Sequence, residues 1–399
     1  MTTATMNKSD LMAPAVAQTI QTRSIFIGLV GAALAIVGAF IAPDSFYSAY
    51  LISFMFWLGL SLGCLAILML YHLVGGAWGT VIRRILEAGS MVLPMMAVLF
   101  IPLALNYSRL YHWARPDDLA KDVKLKEIAA TYLNPSATDI RAFMYFVIWI
   151  AMAWFLRKWS VEQDTPDGGA KSTLRFRVLS GFGLVIYSLT FSFAVVDWVM
   201  SLQARWISTI YGLIFVATGA LCTFCLVVVI ESILSKYKPM SGYLTTTHVH
   251  DHGKLMLAFV MVWAYFNFSQ WLIIWAGNLP EEIPWFMRRM NCGWGQVGLF
   301  LVIFHFAVPF ALLLSRSLKQ DLNRLSLLAS WLLVVCVVDI FWHVEPANFA
   351  QFHVSWVHFA VLAGMGGLWM AYFFYNLRSR PLLAVCAPQT IAHLEPSHE

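Results

Sequence analysis

The chain reads as ten long apolar runs separated by short polar intervals. A bilayer core of ~30 Å needs roughly 20 apolar residues in a helix that rises about 1.5 Å per residue. That ruler predicts spans at 24–42, 47–71, 86–107, 139–157, 178–200, 208–231, 253–276, 293–314, 323–343 and 353–377. Helices are the expected form, because lipid offers backbone groups no hydrogen-bond partner. The alternating segments of about 10 residues that mark a membrane β-barrel are absent. The first run is too long for the apolar part of a typical signal peptide and lacks a small-x-small cleavage site, so it reads as a retained helix. The expected fold class is all-α and polytopic, one integral membrane domain with tails at 1–23 and 378–399.

Composition removes the other classes. Apolar residues make up 60% of the chain and charged residues 12%, against ordinary values of ~45–50% and ~25%. So little charge cannot clothe a globular surface, which excludes a soluble enzyme, a nucleic-acid module and a disordered chain. The net charge of +5 is therefore a topology signal. Most of the 26 Lys and Arg fall in alternate loops on one side, among them Arg83, Arg84, Arg157, Lys158, Lys171, Arg175, Arg177, Lys236 and Lys238. The tails share that side, so both termini are expected in the cytoplasm.

Of six cysteines only Cys222 and Cys225 are close, as Cys-Thr-Phe-Cys, and Leu226 stands where haem attachment needs His. No pair has zinc or iron–sulfur spacing, and no phosphate or dinucleotide loop is present. No metal and no covalently attached cofactor are expected in this chain. A haem held by two histidines is disfavoured, because His305 and His358 differ in depth by ~10 Å when converted by helical rise.

Ionisable side chains inside a span cost several kcal/mol unless paired or hydrated, so each is a functional candidate. On the cytoplasmic side these are His72, Glu87 beside Arg83 and Arg84, Glu231, and the run His250-Asp251-His252. On the outer side are Asp197, Gln270, Asp339, His343, Glu345, His353 and His358. Tyr265, Asn267 and His305 fall between. Burial favours the neutral form of a carboxylate and histidine titrates near neutral pH, so such groups can exchange protons. Linked by water they would form a relay through Glu87, Asp251, His250, His252, His72, Tyr265, Asn267, His305, Asp339, His343 and Asp197. Asp339, Gln270 and His358 are the outer-side candidates for ligand contact. Plainer readings stand beside these: an interfacial pair for Glu87, a solvated loop for the histidine run, a boundary residue at Asp197, and a helix–helix hydrogen bond at His305. Trp198, Trp206, Trp285, Trp294, Trp342 and Trp356 read as an interfacial aromatic belt.

Three stretches carry a family likeness: GGAWGTVIRRILEAG at 75–89, HDHGKLMLAFVMVWAYFNFSQWLIIWAGNLPEEIPWF at 250–286, and FHFAVPFALLLSRSLK at 304–319. With ten spans over nearly the whole chain, they resemble the F subunits of bacterial alternative complex III, a quinol:electron-acceptor oxidoreductase of respiratory and photosynthetic electron transfer. Those subunits are related to the polysulfide-reductase (NrfD-like) membrane anchors. The resemblance implies two four-helix bundles flanked by two additional helices. It also implies partners: a second ten-helix subunit, an iron–sulfur subunit, multihaem c-type cytochromes and small membrane subunits. Haem c and iron–sulfur clusters would reside in those partners, and quinol is the one small molecule this chain could meet. Glu87 and His250-Asp251-His252 fall inside the matching stretches; Asp197, Asp339 and His343 rest on depth alone. The expected function is a scaffold and proton path in a quinol-oxidising complex, with a quinone site of its own as the alternative and an independent transporter as the distant one.

Overall fold

The computed structural model describes residues 11–164 and 173–383, so the ends of both tails and Lys171 lie outside the described residues. Ten helices are long and apolar enough to cross a membrane: α1 (Ala15–Ile41), α2 (Pro43–Val74), α3 (Ala77–Ala104), α4 (Pro135–Glu162), α5 (Leu174–Gln203), α6 (Tyr211–Leu234), α7 (Thr246–Gly277), α8 (Trp294–Leu314), α9 (Leu322–Asn348) and α10 (Trp356–Arg378). No strand occurs among the described residues, beyond one isolated bridge between Met12 and Pro381. That bridge, with the Leu382 N–H donating to the Leu11 carbonyl at 2.7 Å, sets both chain ends side by side. The end of the molecule that holds them is called here the terminal face.

Most helices extend beyond the apolar runs. Their ends are fixed by capping side chains that satisfy orphan N–H groups. Thr245 and His248 form a capping box that starts α7, seven residues before the apolar run. Asn134 accepts from the Ala137 N–H ahead of Pro135 to start α4, and Asp321 accepts from Asn323 and Arg324 to start α9. The α3 helix begins at Ala77, because Arg83, Arg84 and Glu87 neutralise one another inside it. It turns at residues 91–92 between segments Ala77–Ser90 and Leu93–Ala104. The α8 helix contains a π-helical stretch, Val302–Ala307. Pro309, two residues beyond, has no N–H to give to the carbonyl of His305. Such bulges recur at functional positions.

Two helices form the centre. The α2 helix is buried along almost its whole length and packs against α3, α5, α6, α9 and α10; α6 packs against α2, α5, α7 and α9. The α2–α5 helices are neighbours of one another, as are α6–α9, while α1 lies along α10. Lipid tails are as apolar as the helices, so close backbone approach replaces the hydrophobic effect as the source of cohesion. Two glycine seams supply it. On the α2–α6 seam a side chain at Gly63 would collide with the Thr223 hydroxyl and the Gly219 carbonyl. On the α1–α10 seam Gly31 and Gly28 oppose Gly364 and Gly367. The outward face of α1, including Phe26, Leu29 and Phe40, is exposed, as befits a surface that meets lipid.

The tryptophan belt is largely a core feature instead. Trp198, Trp206, Trp285 and Trp294 are buried, with the Trp206 and Trp285 rings stacked 4.5 Å apart; Trp342 is partly buried and Trp356 is exposed. The reason is that the opposite-face loops fold over the helix ends, tied by the Arg205–Asp122 pair and by Lys124 to Glu281 at 3.3 Å.

The seam account makes a direct prediction. Gly63→Val should cost about 1–3 kcal/mol by overpacking. Gly242→Ala, where nothing lies within 4 Å of the added carbon, should change little. Thermal unfolding in detergent followed by circular dichroism compares the two.

Candidate functional site

The rare polar groups separate into closed pairs and one open site. At the terminal face, the Glu87 carboxylate is clamped. Arg83 Nε donates to Oε1 at 2.9 Å, Arg84 Nη1 to Oε2 at 2.8 Å, and the Ser160 hydroxyl to Oε1 at 2.6 Å. Arg83 also reaches Gln163 at 2.8 Å, and Arg84 pairs with Asp164. All of Glu87, Arg83 and Arg84 are buried. With three donors on one carboxylate, this cluster joins α3 to the end of α4. His72 is buried nearby, its ring stacked on Phe176 at 4.2 Å.

A second terminal-face cluster joins α6, α7 and α3. His252 and Glu231 are both 0% exposed, and Nδ1 lies 2.9 Å from Glu231 Oε2. The other ring nitrogen, Nε2, lies 2.9 Å from the carbonyl of Trp78. A carbonyl only accepts, so Nε2 carries hydrogen, and one further proton sits between Nδ1 and the carboxylate. The pair is electrically neutral whichever partner holds that proton. Asp251, by contrast, is partly exposed and paired with Lys254 at 3.0 Å. His250, one residue before it, is partly buried, its Nδ1 without a hydrogen-bond partner among the described residues.

On the opposite face Asp197 is 0% exposed and is held by a two-pronged Arg141 contact at 2.8 and 3.0 Å, with the Tyr145 hydroxyl donating at 3.0 Å. Arg141 in turn lies over the Tyr132 ring. Glu345 is buried with His358 Nε2 at 3.2 Å, but neither that nitrogen nor either carboxylate oxygen has a hydrogen-bond partner among the described residues; His358 Nδ1 lies 3.2 Å from both the N–H and the carbonyl of Ser355. Ser45 and His353 meet at 3.0 Å.

Asp339 differs from all of these. Its Oδ2 accepts from the Trp263 indole at 3.0 Å and from the Thr218 hydroxyl at 3.2 Å. Its Oδ1 faces His343 Nε2 at 3.8 Å, too far for a hydrogen bond. Among the described residues no Lys or Arg pairs with it. Both ring nitrogens of His343 lack a hydrogen-bond partner, although the residue is 2% exposed. These groups sit on a cavity of about 780 Å³ between α7, α8 and α9, capped by the short helix Ile283–Met290. Trp263, Gln270, Trp285, Trp342 and many aliphatic and phenyl groups line it. Gln270 is hydrogen-bonded to the Ser208 hydroxyl. Tyr265 and Asn267 line it too; Tyr265 is exposed, and the Asn267 amide donates to the Trp263 carbonyl at 3.0 Å. His305, in the π-helical turn, is 0% exposed, packs on the Trp263 ring at 3.9 Å and meets Cys336 Sγ at 3.7 Å. It backs the site through Trp263.

Beside the cavity lies a buried cation. Arg289 is 1% exposed and donates to the carbonyls of Trp285 at 3.0 Å, Trp342 at 3.2 Å and His343 at 2.6 Å, with its guanidinium 3.6 Å above the Trp285 ring. Burial pushes its pKa down to about 9, which leaves it cationic at neutral pH. It braces the backbone that carries His343.

Asp339, His343, Gln270, Tyr265 and Asn267 therefore share one cavity, with His305 behind it. His358 lines another, of about 430 Å³, which has no lining residue in common with the first. No hydrogen bond or ion pair among the described residues ties Glu87, Asp251, His252 or Asp197 to the Asp339 group. Sequence reasoning had no signal for Trp263 and Thr218 as donors to Asp339, for Arg141 as the partner of Asp197, or for Arg289.

The difference between closed and open groups is measurable. Glu87→Gln should cost about 3–5 kcal/mol, because it leaves the buried Arg83 without an acid and Arg84 with Asp164 alone. Asp251→Asn at the surface should stay within about 1 kcal/mol. Unfolding midpoints of the two purified variants give the comparison.

No protein-family model and no curated protein matches the chain, so the chemistry of this site rests on its geometry.

Proposed function

We propose that this multi-pass membrane protein is a subunit of a quinol-oxidising assembly of the alternative complex III type, serving as scaffold and as proton acceptor beside the quinol. The family likeness of residues 75–89, 250–286 and 304–319 supports the assembly. In that setting the chain lies in a bacterial inner membrane with both termini cytoplasmic. Its partners are a second ten-helix subunit, an iron–sulfur subunit, multihaem c-type cytochromes and small membrane subunits, which carry the redox centres.

The observation that carries the reading is the Asp339–His343 group. A carboxylate with two neutral donors and no cation, beside an unpartnered imidazole on an apolar cavity, is suited to take up a proton. Glu87, Asp197 and Glu231 already have basic partners at hydrogen-bond distance, and Glu345 has His358 at 3.2 Å but lies outside this cavity. Oxidation of one quinol releases two electrons and two protons. The electrons pass to redox centres of the partner subunits, and Asp339 and His343 are the two acceptors this chain offers for the protons.

A second reading has the quinol head group enter this cavity. The 3.8 Å gap between Asp339 Oδ1 and His343 Nε2 favours it, because one hydroxyl can donate to the former while accepting from the latter. The apolar lining and the volume of about 780 Å³ suit a ring with an isoprenoid tail.

The Asp339→Asn assembly, reconstituted in vesicles, tests both. An acceptor role predicts a smaller proton yield per electron on the outer side, with the balance released on the cytoplasmic side and electron flow and subunit composition retained. A binding role predicts that electron flow falls as well, with a higher KM for quinol. Unchanged proton yield together with unchanged KM would contradict the proposal.

A further inference from the structure

The walls of the Asp339 cavity differ in what lies behind them. Toward the opposite-face loops the wall is Trp285, which is buried and stacked on the buried Trp206 ring at 4.5 Å. Beyond that stack lies a polar cleft of about 630 Å³, lined by Asp122, Lys124, Arg205 and Arg288 among others. Among the described residues, Trp285 is the one that lines both spaces. Arg289 holds this wall in place through the carbonyls of Trp285 and Trp342.

The side toward α7 and α8 is built the other way. The α7 helix packs on the Val302–Ala307 and Val308–Leu314 stretches of α8, whereas Trp294–Leu301 packs on α9 and on the short helix Ile283–Met290. The two helices therefore part above the π-helical turn, and the cavity fills the gap. Gly295 and Gly298 line it from α8 without a side chain to close it. On α7, Trp263, Asn267 and Gln270 share one face, and the Trp263 N–H on Asp339 shows which way that face looks. Phe268 and Trp271 of α7, with Leu299 and Val302 of α8, line the same cavity yet are exposed on the apolar outside of the molecule. One space thus runs from an apolar mouth to a polar end at Asp339 and His343, whose ring nitrogens lack partners.

A molecule that crosses this mouth must dissolve in hydrocarbon, and one that uses the inner end must carry hydrogen-bonding groups there. A hydroquinone ring on a long isoprenoid tail has both properties. A phospholipid would have to draw a charged head group through the apolar mouth, which is costly. A tailless hydroquinone arriving from water meets the Trp206–Trp285 stack.

We infer that the gap between the opposite-face halves of α7 and α8 is a lateral portal, through which a tailed hydroquinone reaches Asp339 and His343 from the bilayer. Its tail stays between Phe268 and Trp271 on one side and Leu299 and Val302 on the other. This rests on the reading in which quinol enters the cavity, and adds to it the route and the need for a tail.

The assembly in vesicles tests route and occupant separately. Asn267→Cys, in a Cys292→Ser/Cys386→Ser background, is treated with an alkyl maleimide dissolved in the bilayer or with a charged, membrane-impermeant thiosulfonate on both faces. Modification of the α7 peptide is followed by mass spectrometry, each rate being normalised to that of the denatured protein. The maleimide should react at least fivefold faster, and Leu299→Trp at the mouth should slow it at least threefold. Equal rates, or faster reaction of the charged reagent, would overturn the portal whether or not quinol uses the cavity. The unaltered assembly is then irradiated with quinones bearing an azide on the ring or on the tail. The tail azide should label the peptides holding Phe268, Trp271, Leu299 and Val302, suppressed by excess tailed quinol and not by a tailless hydroquinone. Ring labelling inside the cavity with tail labelling elsewhere, or equal suppression by the tailless compound, would overturn the portal and leave the quinol reading in place. Failure of both azides to label the cavity would remove the two together.

Discussion

Lipid offers a charge no counter-ion, and this constraint arranges the polar half of the structure. Two of the buried acids meet a base from another helix at hydrogen-bond distance: Arg141 of α4 at Asp197 of α5, and His252 of α7 at Glu231 of α6. Each pair is also a cross-link between spans, so the same contacts that remove the desolvation penalty hold the helices in register. The Glu87 cluster takes its two arginines from its own helix and reaches α4 through the Ser160 hydroxyl. Two acids depart from that pattern: Glu345, whose oxygens have no hydrogen-bond partner among the described residues, and Asp339. Asp339 is as buried as the others and has only an indole and a hydroxyl for support.

Asp339 is located where the helices are least regular. The α8 helix carries a π-helical turn at Val302–Ala307 opposite Trp263, and the short helix Ile283–Met290 closes the cavity from above. His305 in that turn presses on the ring whose N–H holds Asp339. Arg289 fixes the carbonyl of His343. The carboxylate and the imidazole are thereby held at a set separation without being joined, which leaves both free to engage a third group.

Much of the fold was legible because span length is a one-dimensional property. Ten apolar runs announce ten helices, and only their ends were misjudged: α7 starts seven residues early because Thr245 and His248 cap it, and α3 starts nine residues early because its own charges cancel. The site was legible in part. Rarity singles out Asp339 and His343, since ionisable groups stand out in an apolar run. Depth along the membrane normal says nothing of direction around a helix axis, so His358 was grouped with Asp339 although it faces a different cavity. Partners contributed by distant helices, such as Trp263 and Thr218, leave no periodic trace at all. The same limit turned a supposed lipid-facing tryptophan belt into a stacked core at Trp206 and Trp285.

The central claim is that the cavity between α7, α8 and α9 is the working site of this protein. Photo-crosslinking with an azido-quinone, followed by peptide mapping, tests it most directly. The account predicts labelled peptides from α7 around Trp263–Gln270 and from α9 around Asp339–His343, suppressed by excess quinol. Labelling confined to a neighbouring subunit, or spread without preference over the lipid-exposed helices, would contradict it.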